Sequence, residues 1–292
     1  MTSTPPHPTH TRPAERHDPL PDGADHGGEE AVLLLRLAGP LQSWGDRSVF
    51  NRRETRPEPT KSGVLGLLAA AEGRAREDRL DDLTQLRLGI RVDQPGTLLR
   101  DYHTVSDYRG RPLLQAGVSA KGRQKPTSPA KNTHITIRYY LQDAVFVAAL
   151  AGPAPLLRTL DTAVRHPAYP LALGRRSCPP TQPVSLGLRD TSDLRQALEA
   201  EPWQAARHVR NEQGRRNSYP THVDLSATIE DPDGDDVRHD VPQSFHPRSR
   251  SYTSRRVRHL WIPTPTGFTT PTNNDQPRQP SAGHDPFALL GW

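Results

Sequence analysis

The sequence contains little cysteine, lysine or aromatic side chain, and these shortages limit what the protein can be. Its single cysteine, Cys178, rules out an internal disulfide and any cysteine-based zinc site. We interpret Cys178 as a small buried apolar side chain, because no nearby feature of the sequence would activate it as a nucleophile. Long hydrophobic runs are also missing: no apolar stretch approaches the ~20 residues that span a bilayer, and the N-terminus lacks the apolar core of a signal peptide. We therefore expect a cytoplasmic protein with no membrane partner.

Motifs of the common nucleotide, metal and hydrolase sites are absent. The sequence contains no GxxxxGK(S/T) loop, no GxGxxG fingerprint, no GxSxG elbow and no zinc-ligand spacing. Its 13 histidines lie mostly in the terminal segments or alone. We therefore predict no metal and no cofactor.

Arginine and proline, by contrast, are abundant. The formal net charge of +5 is unevenly spread, because residues 1–30 carry a net −4 and the remainder +9. A basic body favours a polyanionic partner. Arginine supplies 34 of the 38 basic residues, however, and such an excess can equally reflect the base composition of the coding DNA.

Composition divides the chain into a body and two ends. Residues 1–30 and 264–292 contain few large aliphatic side chains, so we expect them to be mostly disordered. The short apolar segment 287–292 could dock on the body or on a neighbour. Between the ends we expect a main domain over 31–184 and a smaller, less regular portion over 185–263.

The pattern of apolar residues predicts an alternation of strands and helices in the main domain. The predicted elements are a strand Ala31–Ala38, a helix Thr60–Gly73 capped by Thr60, a short helical piece Leu80–Leu88, a hairpin of Ile90–Asp93 with Leu98–Val105, a strand Ile135–Leu150 and a helix Ala154–Arg165. This order is typical of an α+β, ferredoxin-like domain of the RNA-recognition type. Further along, we expect a helix near Asp193–Ala200 and weak strands near Val223–Ile229 and Arg256–Ile262.

A basic loop, 42–61, joins the first strand to the first helix. It places Trp44 among four arginines, an arrangement suited to binding a phosphodiester backbone and stacking a base. The alternative is that Trp44 lies at the rim of the core and the arginines are simply solvated.

Three other segments share this basic character. Residues 107–134 form a long excursion with six basic residues and one acid, which is typical of a functional loop or of simple disorder. Gly174-Arg175-Arg176 forms a compact turn that could present guanidinium groups to phosphates or bases, or lose one of them to an internal salt bridge. Residues 245–261 contain five arginines and no acid, with Phe245, Tyr252 and Trp261 interleaved. The pattern of this last segment fits a nucleic-acid surface and an edge strand that docks on a partner equally well.

Four blocks of the sequence carry a family resemblance. They are LRLAGPLQSWG with PTKSGVLGLLAAA, LLRDYHTV with DYRG, YYLQDAVFVAAL, and YPLALGRRSCPPTQPV, with HDPFALLGW as a possible fifth. Together they resemble, in the same order, the CasD-type subunits of type I-E CRISPR surveillance complexes (Cascade), which belong to the RAMP superfamily.

The resemblance implies a non-catalytic subunit that holds the 5′ handle of a CRISPR guide RNA, with residues 107–134 as a thumb over the RNA. The implied partners are the guide RNA, the repeated backbone subunit and the large subunit, with target DNA contacted indirectly through the complex. The candidate RNA-binding residues are Gln42, Trp44, Arg47, Arg52, Arg53, Lys61, Ser62, Tyr108, Arg109, Arg111, Lys121, Arg123, Lys125, Arg175 and Arg176.

Two alternatives remain open. The related type I-C subunit cuts precursor RNA without a metal, and Tyr102, His103, Lys131 and His134 could supply the acid, base and cation for that reaction. His103 within a strand could equally be a hydrogen-bonded structural residue. The second alternative is a general RNA-binding module with no preference for the CRISPR repeat.

Overall fold

The computed structural model describes residues 29–45, 51–106, 113–118, 124–131 and 133–268, with the backbone alone at 113–118 and 124–131. The strands are β1 Glu30–Ala38, β2 Leu41–Gln42, β3 Arg52–Arg53, β4 Arg87–Gln94, β5 Thr97–Ser106, β6 Leu113–Val118, β7 Gln124–Lys131, β8 Thr133–Gln142, β9 Val145–Pro153, β10 Ser185–Arg189, β11 His222–Glu230, β12 Asp236–Ser244 and β13 Ser251–Pro265. The helices are α1 Lys61–Glu72, α2 Asp81–Thr84, α3 Ala154–Arg165, α4 Leu194–Ala200 and α5 Arg207–Arg216.

An antiparallel seven-stranded sheet in the order β10-β1-β9-β4-β11-β13-β12 forms the centre of the molecule. Strand β1 is almost wholly apolar because helices cover both faces of this sheet. Leu33 and Leu35 pack in the core under α1 and α3, whereas Val32 and Leu34 pack in a second core under α4. The fold is therefore of the mixed α+β class, as predicted.

Helix α1 follows its sequence signals closely. The Thr60 side chain accepts a hydrogen bond from the Gly63 amide at 3.2 Å, which caps the helix N-terminus. Gly73 ends the helix with a left-handed φ of +80°. The predicted helix Thr60–Gly73 is confirmed. The predictions for α3 and α4 are confirmed as well.

The predicted hairpin of Ile90–Asp93 with Leu98–Val105 is wrong. Strand β4 lies inside the main sheet between β9 and β11, whereas β5 pairs with β8 in a second sheet. The turn itself was located correctly: Gly96 has a φ of +69°, and a Cβ there would lie 2.4 Å from the Gln142 carbonyl oxygen. The turn passes the chain from the main sheet to the second sheet. Strand β4, in the main sheet, is largely buried, whereas β5 is largely exposed.

Two other predicted elements are shorter than expected. The segment Ile135–Leu150 is not one strand, since β8 and β9 are separated at Asp143, whose φ is +56°. Within Leu80–Leu88 only α2 is helical, and β4 begins at Arg87. Residues after 184 contribute four strands, β10 to β13, to the main sheet.

Strands β5 and β8 form a long ribbon in a second sheet, separate from the main one. The two strands pair over ten residues each, from Thr97 opposite Gln142 to Ser106 opposite Thr133. The chain between them contains the two-stranded β6–β7 sheet. The excursion 107–134, predicted from its residues to be a functional loop or simple disorder, contains paired strands in its described part.

Candidate nucleic-acid interface

An open groove with a volume of about 970 Å³ runs beside α1. Its walls come from four parts of the sequence that are far apart: 43–45 with Arg53, 62–76, 169–179 and 245–252. Its floor is apolar and built from small residues of α1. The lining residues are Ser43, Trp44, Gly45, Arg53, Ser62, Gly63, Gly66, Leu67, Ala69, Ala70, Arg74, Ala75, Arg76, Tyr169, Pro170, Leu171, Ala172, Gly174, Arg175, Arg176, Pro179, Phe245, Arg250 and Tyr252.

The groove lining is basic and contains no carboxylate. Within the described parts of the chain, the guanidinium groups of Arg53, Arg76, Arg176 and Arg250 have no hydrogen-bond or ion-pair partner. Arg74 differs, because the carboxylates of Asp82 and Glu72 hold its guanidinium and raise its pKa above the usual range. Unpaired guanidinium groups around an apolar floor suit a chain of phosphates carrying flat bases.

The Gly174-Arg175-Arg176 turn forms one wall of the groove. Gly174 has a φ of +86°, and a Cβ there would lie 1.8 Å from the Ser43 carbonyl oxygen, so only glycine fits. Arg175 donates to the Tyr139 carbonyl oxygen at 2.9 Å, and its guanidinium lies 4.7 Å from the centre of the Tyr140 ring. Arg175 is therefore held by the protein, whereas Arg176 is exposed.

Trp44 does not present its ring for stacking, which corrects the prediction. The residue is 1% exposed, and its Nε1 donates to Oε1 of Gln42 at 3.1 Å. Gln42 is fully buried too, and donates to the carbonyl oxygens of Leu37 and Ala144. Gly63 lets α1 pack on the indole, since a Cβ there would lie 2.7 Å from the ring. Trp44 and Gln42 thus fix the loop instead of binding a base.

Lys61 is also a structural residue and not an RNA ligand. Its Nζ lies 3.0 Å from both carboxylate oxygens of Glu230 on β11. Burial lowers the Lys61 pKa, and the charge of Glu230 offsets part of that effect. Its main-chain amide donates to Asp240 of β12 at 2.8 Å. Lys61 therefore ties the start of α1 to the far half of the sheet.

The arginines of 245–261 are mostly used inside the fold. Arg255 forms a buried pair with Asp240, Arg258 pairs with Asp231, and Arg256 donates to the Gly234 carbonyl oxygen. The segment contributes β13, which pairs with β12 through its first half and with β11 through its second half. Only Phe245, Arg250 and Tyr252 of this segment reach the groove.

Of the other predicted RNA-binding residues, some line the groove, one is paired within the protein and the rest are not fully described. Ser62 and Arg53 line the groove, whereas Arg52 pairs with Glu54 and lies 5.2 Å over the Tyr139 ring. Several candidates lie outside the described residues, and for Lys125 and Lys131 only the backbone, in β7, is described. The candidates outside the described residues are Arg47, Tyr108, Arg109, Arg111, Lys121 and Arg123.

The side chains proposed for RNA cleavage are divided between the two faces of the ribbon, and the Lys131 side chain lies outside the described residues. Tyr102 and His103 are neighbours in β5, so they point to opposite faces of the ribbon. The His103 ring is hydrogen-bonded to Asp101. His134 pairs with Val105, which places it on the face of His103 and away from Tyr102. In the described residues there is no group of three or more side chains able to hold a metal ion, and no helix long and apolar enough to cross a membrane.

Sequence reasoning missed several groove residues. Arg74 and Arg76 follow the end of α1, and Tyr169, 54% exposed, precedes the Gly174 turn. Tyr169 starts the block YPLALGRRSCPPTQPV, so its position beside two arginines was the available signal. The sequence around Arg74 and Arg76 gave no such signal, because no local pattern shows that the end of α1 faces residues about a hundred positions away.

Comparison with known proteins places this fold and groove in a family. The family model described as CRISPR-associated protein (Cas_Cas5) matches residues 32–258. The CRISPR system Cascade subunit CasD of Escherichia coli (strain K12) is 38% identical over 186 residues, covering 58% of this chain and 75% of that protein.

Two solved structures are similar to the whole body of the molecule. A chain of a CRISPR RNA-guided surveillance complex aligns with a TM-score of 0.63 and 34% identity, covering 80% of this chain and 91% of that one. A structure titled as a Cas protein aligns with a TM-score of 0.57 and 36% identity, covering 81% and 98%. The resemblance to CasD-type proteins is confirmed, and the chain belongs to the Cas5 family of CRISPR-associated proteins.

Proposed function

We propose that this protein is the subunit of a type I-E CRISPR surveillance complex that holds the 5′ handle of the guide RNA in the groove beside α1. The observation that carries the proposal is the continuous groove itself. It joins residues 43–45 and Arg53, the end of α1, the Gly174 turn and residues 245–252 in one basic lining without a carboxylate. Because these segments converge on one face, a single polyanionic strand can meet all of them.

The groove can bind RNA by shape and charge instead of by sequence. Arg53, Arg76, Arg176 and Arg250 would pair with phosphates, and Arg175 would hold the turn in place. Tyr169 would supply the stacking surface first assigned to Trp44, because its ring is exposed where the indole is not.

The arrangement of the fold supports this assignment. Four adjacent strands, β10-β1-β9-β4, with α1 after β1 and α3 after β9, have the connectivity of a ferredoxin-like domain, as expected for the RAMP superfamily. We assign the β5–β8 ribbon, together with the basic segment 107–134, as the thumb that covers the RNA backbone. The proposed protein partners are the repeated backbone subunit and the large subunit, with target DNA reached through the complex.

The test replaces three unpaired groove arginines together, as Arg53→Gln, Arg176→Gln and Arg250→Gln. Binding of the full chain to a labelled 5′-handle RNA is measured across a salt series. The slope of log affinity against log salt should flatten by about two units, at roughly 0.7 per lost phosphate contact on single-stranded RNA. A matched control, Arg79→Gln with Arg158→Gln and Arg195→Gln, removes the same charge from exposed sites outside the groove and should leave the slope unchanged.

The same assay distinguishes the alternatives. In EDTA, the RNA should remain intact and bound, because we propose a non-catalytic role. Specific cleavage that disappears on His103→Ala or His134→Ala would establish the nuclease instead. Equal affinity for the handle and for a scrambled RNA of the same length would indicate a general RNA-binding module.

A further inference from the structure

Helix α5 presents a second basic surface, which the groove does not use. Its sequence, RHVRNEQGRR, contains four arginines and a single acid, Glu212. Glu212 is engaged by Arg216 at 2.5 Å, and Arg210 is half-buried with Nη1 3.4 Å from the Trp203 carbonyl oxygen. Arg207 and Arg215 are exposed and have no hydrogen-bond or ion-pair partner among the described residues.

The two unpaired arginines are aligned. Arg207, Asn211 and Arg215 follow one another at intervals of four residues, so they form a row on the outer side of the helix about 12 Å long. All three are exposed. Two guanidinium groups with an amide between them have the donor chemistry of a contact to phosphates.

The row lies on the face of the sheet opposite to the groove. Val209 of α5 packs against the cluster of Trp203, Ala205 and Leu225 of β11, and Leu225 shares its side of the strand with Ala227, which packs under α4. The groove is built on α1, whose core lies on the other side of the same sheet. An RNA strand held in the groove would therefore leave α5 uncovered.

We propose that the outer face of α5 binds the phosphate backbone of duplex DNA without reading its sequence. Charge complementarity selects a polyanion, and a duplex presents a higher density of phosphate charge to such a surface than a single strand does. A contact of this kind contributes a weak, salt-dependent affinity that keeps a protein near DNA. The proposal stands whether or not the groove holds RNA.

The test uses the full chain carrying Arg207→Gln and Arg215→Gln, with binding to a short duplex DNA of random sequence followed by fluorescence anisotropy across a salt series. The slope of log affinity against log salt should flatten by about 1.8 units, at 0.9 per phosphate contact. The control Arg158→Gln with Arg195→Gln removes the same charge from α3 and α4 and should keep the slope. The pair Arg207→Lys and Arg215→Lys should keep it as well.

Two results would overturn the proposal. One is an equal loss in the α5 variant and the charge-matched control, or no change in either, because α5 would then have no special role. The other is a loss confined to single-stranded RNA, which would make α5 part of the guide-RNA surface. The groove variant should retain duplex binding, so a failure of the groove assignment is seen separately.

Discussion

At the scale of single residues, many side chains that looked like ligands turn out to build the site instead of occupying it. Trp44, Gln42 and Lys61 are buried, and each satisfies its polar atoms inside the protein. Cys178, interpreted as a buried apolar residue, is indeed fully buried, and burial raises the pKa of its thiol. The candidate RNA ligands that remain are the exposed arginines between these buried residues.

Gly174→Ala should disrupt the groove. The added Cβ would meet the Ser43 carbonyl oxygen, and the positive φ adds strain, so we expect a loss of about 2–4 kcal/mol in unfolding free energy. Handle-RNA affinity should fall as well, since Arg176 follows directly. Denaturant unfolding and RNA titration measure both effects.

Gly187→Ala is the matched control for that variant. Gly187 has a φ of +90°, but a Cβ there would lie no closer than 3.7 Å to another residue. It should therefore cost only the backbone strain, about 1 kcal/mol, and keep RNA affinity. Equal losses for the two glycines would mean that the contact with Ser43 is unimportant.

At the scale of elements, α1 is positioned by a charged cluster at its N-terminus. Lys61 pairs with Glu230 of β11, and its amide binds Asp240 of β12, which also pairs with Arg255 of β13. Helix α1 forms the floor of the groove, so this cluster sets where the floor lies relative to the wall at 245–252. The partners are separated by more than 160 residues from Lys61, which makes them invisible to local sequence patterns.

Lys61→Met should destabilise the protein by about 3 kcal/mol, because the largely buried Glu230 carboxylate loses its shorter ion pair and keeps only the Arg255 contact at 3.5 Å. The double variant Lys61→Met with Glu230→Leu should recover much of that loss. Thermal or urea unfolding of the two single variants and the double variant measures the coupling. If the single and double variants were equally unstable, the ion pair would not be the cause.

At the scale of the whole molecule, one sheet carries two different basic surfaces. The groove lies on the α1 side and the α5 row on the α4 side, so two polyanions could be bound at once. Buried ion pairs link the two halves of the sheet, and the stability of the whole fold should therefore depend on their charge.

Acid should unfold the protein partly through Asp240. Burial opposes the ionisation of this carboxyl, but the hydrogen bonds and charge of Arg255, with the Lys61 amide, outweigh it and hold the Asp240 pKa below its usual range. Its contribution to stability is therefore present above about pH 4 and is lost as the pH falls through the lower folded pKa. Asp240→Asn should lower stability at neutral pH and flatten the pH dependence below pH 4, as followed by denaturant unfolding.

The sequence by itself determined the elements whose signals are local. Thr60 and Gly73 mark the two ends of α1, and Gly96 marks the turn after β4. The apolar run of β1 indicates a strand covered on both faces. These signals are local because caps, periodicity and backbone conformation depend on near neighbours. The four matching blocks identified the family, because each block is a run of neighbouring residues that can be recognised in the sequence alone.

Only the tertiary structure decided which arginines line the groove and which form ion pairs inside the fold. Arg255 and Arg250 lie five residues apart in one basic segment, yet Arg255 is buried against Asp240 and Arg250 lines the groove. Strand β5 likewise pairs with β8 and not with β4. Burial and pairing depend on segments brought together from distant parts of the chain, and the pattern of neighbouring residues contains no information about those distances.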